Sequence, residues 1–311
     1  MLFFDQIPIR FLLNAANVDS EVANRRGVTP AGVLLYLSRT TESAVKLSER
    51  LEGQTGFSFS AGAERVYLIE TAQKGIHWLK LVAKGRAGHG SMVNDDNAVT
   101  ALAEAVARVG RHEWPLRMTD TVRRFLEEMA DVLGIEVDAA DPEPALAKLG
   151  SLARIVGATL RNTTNPTMLK AGYKHNVIPQ AAEAYIDCRF LPGFEHELLA
   201  TIDELIGPDI RRETVIHDIA YETTFDGDLV DAMVAALQAE DPGSRAIPYC
   251  LSGGTDNKSF SLLDIRGFGF APLRLPPDLD FSGLFHGVDE RVPLESLRFG
   301  VRVLDRFIAA S

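Results

Sequence analysis

One stretch constrains the fold more than any other. Trp78-Leu79-Lys80-Leu81-Val82-Ala83-Lys84 reads as a strand, Gly85 to Ala98 is a Gly-rich loop around His89, and Ala98 to Val109 reads as an amphipathic helix. A strand that passes through such a loop into a helix calls for helix-on-sheet packing, an α/β arrangement. Glycines on either side of His89 let the backbone pass close to something while the imidazole projects from the turn. Asp95, Asp96 and Asn97 supply caps and negative charge at the helix start; Val99, Leu102, Val106 and Val109 form its apolar stripe, and Gly110 stands where a C-cap belongs.

The flanking sequence extends the pattern. A helix is expected over Ala31–Leu51, a strand start at Phe57–Ser60 and a strand at Glu64–Thr71. Thr167–Ala171 and Ala182–Phe190 read as further strands, the second placing Ala184, Ile186, Cys188 and Phe190 on one face. Leu198, Leu199, Ile202, Leu205 and Ile206 then mark a helix, and Arg212–His217 closes the unit as a strand. This order is that of a split βαβ sandwich over about 75–215. Helical sequence is inserted at 115–158, where Thr119-Asp120 is a cap and Val122, Phe125, Leu126 and Met129 form an apolar face.

Beyond Asp228 come a helix (Leu229–Ala239), a strand (Ile247–Cys250), the loop Ser252-Gly253-Gly254-Thr255-Asp256 and a strand at Ile265–Phe270. A Pro-rich loop leads to a final helix with the stripe Leu294, Leu297, Val301, Leu304 and Ile308. Three segments are therefore expected: 1–74, 75–215 and 216–311.

Composition narrows the function classes. The formal net charge of -11 disfavours nucleic acid and anionic membrane as partners, since phosphates repel such a surface. No run approaches the ~18 apolar residues of a membrane span, and the start lacks the positive charge of a signal peptide. Cys188 and Cys250 show no metal or redox spacing, so a reducing, cytoplasmic setting is expected.

Four islands remain: Gly88-His89-Gly90-Ser91; Asn176-Val177-Ile178-Pro179 with Arg189; Gly253-Gly254-Thr255-Asp256; and His286 in Phe-His-Gly-Val-Asp-Glu. In this order and at these separations they resemble the zinc-dependent metallopeptidase family of aminoacylase, carboxypeptidase G and succinyl-diaminopimelate desuccinylase. The resemblance covers about Phe57 to Ile308. It implies a zinc-binding α/β catalytic domain into which a ferredoxin-like lid is inserted. It also implies a homodimer formed through that lid, and hydrolysis of a peptide or N-acyl amide bond next to a carboxylate by zinc-activated water.

Residue by residue, His89 matches the lid histidine that reaches the partner's site and polarises the scissile carbonyl. Asn176 and Arg189 match positions that bind the substrate carbonyl and carboxylate; a strand-face salt bridge to Asp187 is the alternative for Arg189. Gly254 and Thr255 match a substrate-contacting loop, with a helix cap before Asn257 as the alternative for Thr255. His286 matches the last zinc ligand, and Glu52 matches an earlier one only with one residue inserted.

The sequence also departs from the family. A dizinc site needs two ions ~3.5–4 Å apart, a bridging carboxylate and a general base. The family supplies these before the lid as a His-x-Asp, an Asp and a Glu-Glu pair. None of the seven histidines here is followed two residues later by Asp, and the one Glu-Glu pair, Glu127-Glu128, comes after the His89 loop. The expectation is a catalytic half that is truncated or replaced, with partial disorder or an unusual cover near residues 1–50. Zinc hydrolysis and a catalytically impaired, dimeric, carboxylate-binding relative or fragment therefore both stand.

Overall fold

A computed structural model describes residues 58–61, 64–135, 138, 152–284 and 289–310. The helix expected at Ala31–Leu51, the cover expected near residues 1–50, and both candidate metal ligands, Glu52 and His286, lie outside the described residues. The chain divides into two compact units. One is Lys74–Arg117 with Ala158–Ala220; the other comprises the described parts of Met1–Gln73, Met118–Gly157 and Tyr221–Ser311. Among the described residues no helix is long and apolar enough to cross a membrane.

The first unit is built on a four-stranded antiparallel sheet. Its strands are β3 (Gly75–Lys84), β5 (Thr163–Ala171), β7 (Ala181–Phe190) and β8 (Ile210–Asp218), in the order β5-β7-β3-β8. Helices α1 (Ala98–Arg111) and α4 (Glu195–Ile206) complete a β-α-β-β-α-β run, so each helix links two strands separated by a third, the split βαβ pattern. Alternation decides the inner face. Leu79, Leu81 and Ala83 of β3, with Ala184, Ile186 and Cys188 of β7, pack under Leu102, Ala105 and Val109 of α1 and Leu198, Ile202 and Ile206 of α4. Each such Leu or Ile contributes about 1.5–3 kcal/mol on burial. Cys188 is enclosed here, and burial pushes its thiol up to about 12, which leaves it inert as a nucleophile.

Asn97 caps α1 as the sequence suggests, its Oδ1 accepting the N–H groups of Val99 and Thr100. The stripe is shifted from the expected one: Ala98, Leu102, Ala105 and Val109 are buried, while Val99 is exposed. Small alanines let the helix lie close to the sheet, a signal that large-residue spacing misses. Gly110 does not end the helix, which continues to Arg111. A Cβ there would come within 3.3 Å of the Pro166 ring, so this glycine serves a close approach to β5.

The second unit is organised on β2 (Glu64–Gln73). It pairs antiparallel with β1 (Ser58–Ala61), parallel with β10 (Arg245–Leu251), and at its end with β9 (Tyr221–Glu222). From Val66 onward β2 is buried at every position, as befits a strand covered on both faces. Helix α2 (Asp120–Leu133) packs on β10 and β2 through Val122, Phe125, Leu126 and Met129, with the Thr119 hydroxyl accepting the Val122 N–H as its cap. Its residues cluster with this unit, although the sequence order places them inside the 75–215 stretch. In the first unit, the fully buried Lys74 donates through Nζ to the carbonyls of Ala158, at the end of helix α3 (Leu152–Thr159), and of Arg161, an ammonium at a helix C-terminus.

Tyr67 and Ile69 meet helix α5 (Asp228–Glu240), the final helix α7 (Leu294–Ala310), and Phe268 and Phe270. Two sequence expectations fail here. The buried face of α7 is Ser296, Phe299, Gly300, Val303, Leu304 and Phe307, whereas Leu294, Val301 and Ile308 are exposed. The two phenylalanines orient the helix, Phe299 stacking on Tyr67 at 5.8 Å and Phe307 meeting Phe270 edge-on at 5.6 Å. Residues 265–270 are also not a continuous strand: Gly267 and Gly269 make isolated bridges, that of Gly269 to Glu70. Gly267 and Gly269 press against Asn257 and Glu70 so closely that any Cβ would lie 2.5 Å from them.

Candidate functional site

The sequence-predicted residues fall on both units. On the first, β4 (Gly88–His89) and β6 (Val177–Ile178) form a two-stranded antiparallel arm in which His89 faces Val177. Gly85 lets the arm start tightly, because a Cβ there would lie 2.6 Å from the Asp96 carbonyl; Gly88 and Gly90 meet no such crowding. The Gly90 N–H donates to the Asn176 carbonyl at 2.9 Å. Two residues 87 positions apart are thereby joined: Asn176 Nδ2 stands 3.3 Å from His89 Nε2, and both side chains are exposed.

The surrounding bonds assign the imidazole tautomer. The Ser91 N–H donates to His89 Nδ1 at 3.3 Å, and the Ser91 hydroxyl lies 2.8 Å from the same nitrogen. An acceptor at Nδ1 puts the proton of the neutral ring on Nε2. An Nε2–H facing an amide nitrogen sets donor against donor, so the Asn176 amide is better turned with Oδ1 toward the ring. The arm then presents an imidazole N–H and a carboxamide side by side at the surface. Such a pair can hydrogen-bond a carbonyl or carboxylate oxygen.

Arg189 is not gathered into this pair. It lies on the outer face of β7, and its Nε and Nη2 donate to Asp187 at 2.6 and 2.9 Å. This is the strand-face salt bridge that the sequence left open.

Gly254 and Thr255 belong to the second unit, in the loop between β10 and the short helix α6 (Asn257–Ser261). The Thr255 Oγ1 accepts the Asn257 N–H at 3.2 Å, the cap-like role, and also accepts from Gln73 Nε2. The Thr255 N–H donates to Gln73 Oε1 at 2.9 Å. Gln73 in turn donates to Glu70 Oε1 at 2.6 Å, and the Tyr221 hydroxyl donates to the same oxygen at 2.7 Å. Glu70 and Gln73 are fully buried. Burial, with Glu70 second, holds the Tyr221 phenol far above its ordinary range. Sequence reading missed this support, whose members lie 151 and 182 positions apart.

Glu127 and Glu128 lie on α2, where Glu128 pairs with Arg245 at 3.5 Å. Among the described residues, one trio of His, Cys, Asp or Glu brings its donor atoms within 4.8 Å of one another: His77, Glu195 and His217, all on the first unit. Glu52 and His286, the ligands that the resemblance names, lie outside the described residues, so the trio is a different set of donors.

Residues 71–212 match the M20 peptidase dimerisation domain. This stretch of the chain is an M20 peptidase dimerisation domain, and the relatives and structural neighbours of the chain are M20 peptidases and amidohydrolases. The chain is 26% identical to the mouse N-fatty-acyl-amino acid synthase/hydrolase PM20D1, over 99% of this chain and 63% of that protein. It is also 26% identical to a probable carboxypeptidase S-like 2 of Dictyostelium discoideum, over 74% of this chain and 46% of that one. Human aminoacylase-1 is 22% identical over 94% of this chain and 62% of its own length. The chain thus spans roughly half to two thirds of these relatives.

Two solved structures share the fold. The di-peptidase Dug1p of Saccharomyces cerevisiae aligns with a TM-score of 0.55 and 11% identity, over 86% of this chain and 63% of that one. The M20 family metallo-carboxypeptidase Sso-CP2 of Sulfolobus solfataricus aligns at 0.53 and 16%, over 84% and 66%. The mixed α/β architecture of the chain is that of these neighbours.

Proposed function

We propose that this chain acts, as a homodimer, in hydrolysis of a peptide or N-acyl amide bond adjacent to a carboxylate. The observation that carries the reading is the His89–Asn176 pair: two hydrogen-bonding side chains brought together by a dedicated arm and turned to solvent. The names of the relatives, an N-fatty-acyl-amino acid synthase/hydrolase, a probable carboxypeptidase and an aminoacylase, support this substrate class.

In this reading the His89 Nε2–H donates to the carbonyl oxygen as negative charge develops there, and Asn176 fixes the substrate's orientation. A donor aimed at a developing oxyanion is worth roughly 10²–10³ in rate. The Thr255 hydroxyl accepts from Gln73 and Asn257 and keeps its own hydrogen for a substrate oxygen. For Arg189 to take a substrate carboxylate, its guanidinium must exchange Asp187 for the ligand, a trade between similar charge-assisted bonds. His286 and Glu52 are the proposed ligands of a zinc ion, which would supply an activated water as the nucleophile.

A second reading is favoured by one sequence observation, the absence of His-x-Asp and of a Glu-Glu pair ahead of the lid. It is a dimer that grips carboxylates without hydrolysis. One assay separates the two: hydrolysis of N-acyl amino acids and dipeptides by the purified chain, with and without a chelator. Chelator-sensitive turnover that drops when the carboxylate is amidated supports the hydrolase. Carboxylate binding with no turnover at any zinc concentration supports the second reading.

A further inference from the structure

The trio on the lid is not used by the chemistry above. His77 lies on β3 and His217 directly opposite on β8, as cross-strand partners, and Glu195 is the first residue of α4. Glu195 Oε1 stands 3.1 Å from His77 Nδ1 and 2.9 Å from His217 Nε2. Three donor atoms from two strands and a helix thus converge on one point of a well-packed unit.

The surroundings orient the rings. Thr214 Oγ1 lies 2.9 Å from His77 Nε2, and when it accepts that N–H the Nδ1 lone pair is turned toward Glu195. Metal-binding imidazoles are usually anchored this way, with the non-ligating N–H on a fixed acceptor. The Phe190 ring lies parallel to that of His217 at 6.3 Å. The His77 side chain is 7% exposed, Glu195 35% and His217 43%, so the site is closed on one side and open to water on the other.

We propose that His77 Nδ1, Glu195 and His217 Nε2 form a site for a divalent cation of the zinc class on the lid, separate from any metal held by His286. Two imidazoles and one carboxylate are a zinc donor set, with a fourth position left to water. A tetrahedral ion with bonds of ~2.0–2.1 Å needs ligand atoms about 3.3–3.4 Å apart. The two spacings to Glu195 fall a few tenths of an ångström short and the two imidazole nitrogens lie within 4.8 Å of each other, differences that side-chain rotation closes. A bound ion ties the start of α4 to the β3–β8 edge, so binding is read as added stability of the lid.

The test uses the full chain carrying His286→Ala, stripped with chelator and titrated with zinc chloride. Metal analysis and calorimetry count the ions, and thermal unfolding follows the lid. The proposal expects one ion per chain and a raised melting temperature. Both should be lost when His217→Ala or Glu195→Gln is added, two substitutions at partly exposed positions. Thr214→Val should weaken binding roughly tenfold or more without abolishing it. Failure of the His286→Ala chain to bind zinc overturns the site. So does zinc binding that His217→Ala and Glu195→Gln leave unchanged, which would make the trio a plain hydrogen-bonded cluster.

Discussion

The chain presents its candidate substrate-contacting groups in two contrasting ways. In the first unit, His89 and Asn176 sit on an exposed two-stranded arm; their side chains meet each other, and His89 also meets Ser91. In the other unit the Thr255 loop is anchored to Gln73, and through it to the buried Glu70 and Tyr221. Changes at the arm alter what the surface offers and leave the core intact. Changes behind the Thr255 loop reach the core of their unit. Stability and function are therefore separable in the lid arm and joined in the loop.

Three substitutions sharpen this contrast, in order of falling effect. Phe299→Ala removes the ring stacked on Tyr67 in the core of the second unit. It should cost about 3–5 kcal/mol in denaturant unfolding, while Val301→Ala, on the exposed side of the same helix, should cost less than about 1 kcal/mol. Equal costs would return the helix to the aliphatic stripe. Glu70→Gln keeps the side-chain shape but replaces a carboxylate oxygen that accepts from both Gln73 and Tyr221. A loss of about 1–3 kcal/mol is expected, with weaker carboxylate binding because Gln73 no longer holds Thr255 in place. Unchanged stability would show that the network does not support the loop. Asn97→Ala, which removes the cap of α1 at the base of the arm, should cost about 1 kcal/mol by thermal melting of the lid. A drop matching that of Phe299→Ala would show that the arm and lid core are not independent.

How much of this was legible in the sequence varied with the physics of each element. The face of α2 could be read from Thr119, Val122, Phe125, Leu126 and Met129 because a cap and one arc of large apolar residues agree. The final helix carries apolar residues on two overlapping arcs, and contact with Tyr67 and Phe270 selects between them, which spacing alone does not reveal. Gly267 and Gly269 broke an expected strand because they serve close approaches to Asn257 and Glu70. The ordered motif set pointed to the family, and the paired β4–β6 arm shows why its first two islands belong together. The Glu70 network and the His77–Glu195–His217 trio join residues more than a hundred positions apart. No local pattern marks such pairs before the strands are registered.

The most direct measurement of the central claim compares wild type with His89→Ala in the hydrolysis of an N-acyl amino acid, alongside thermal melting of both. The account predicts a kcat lower by roughly 10²–10³ with the stability changed by less than about 0.5 kcal/mol. A variant that turns over substrate as fast as wild type would contradict it, as would one whose lost activity follows lost folding.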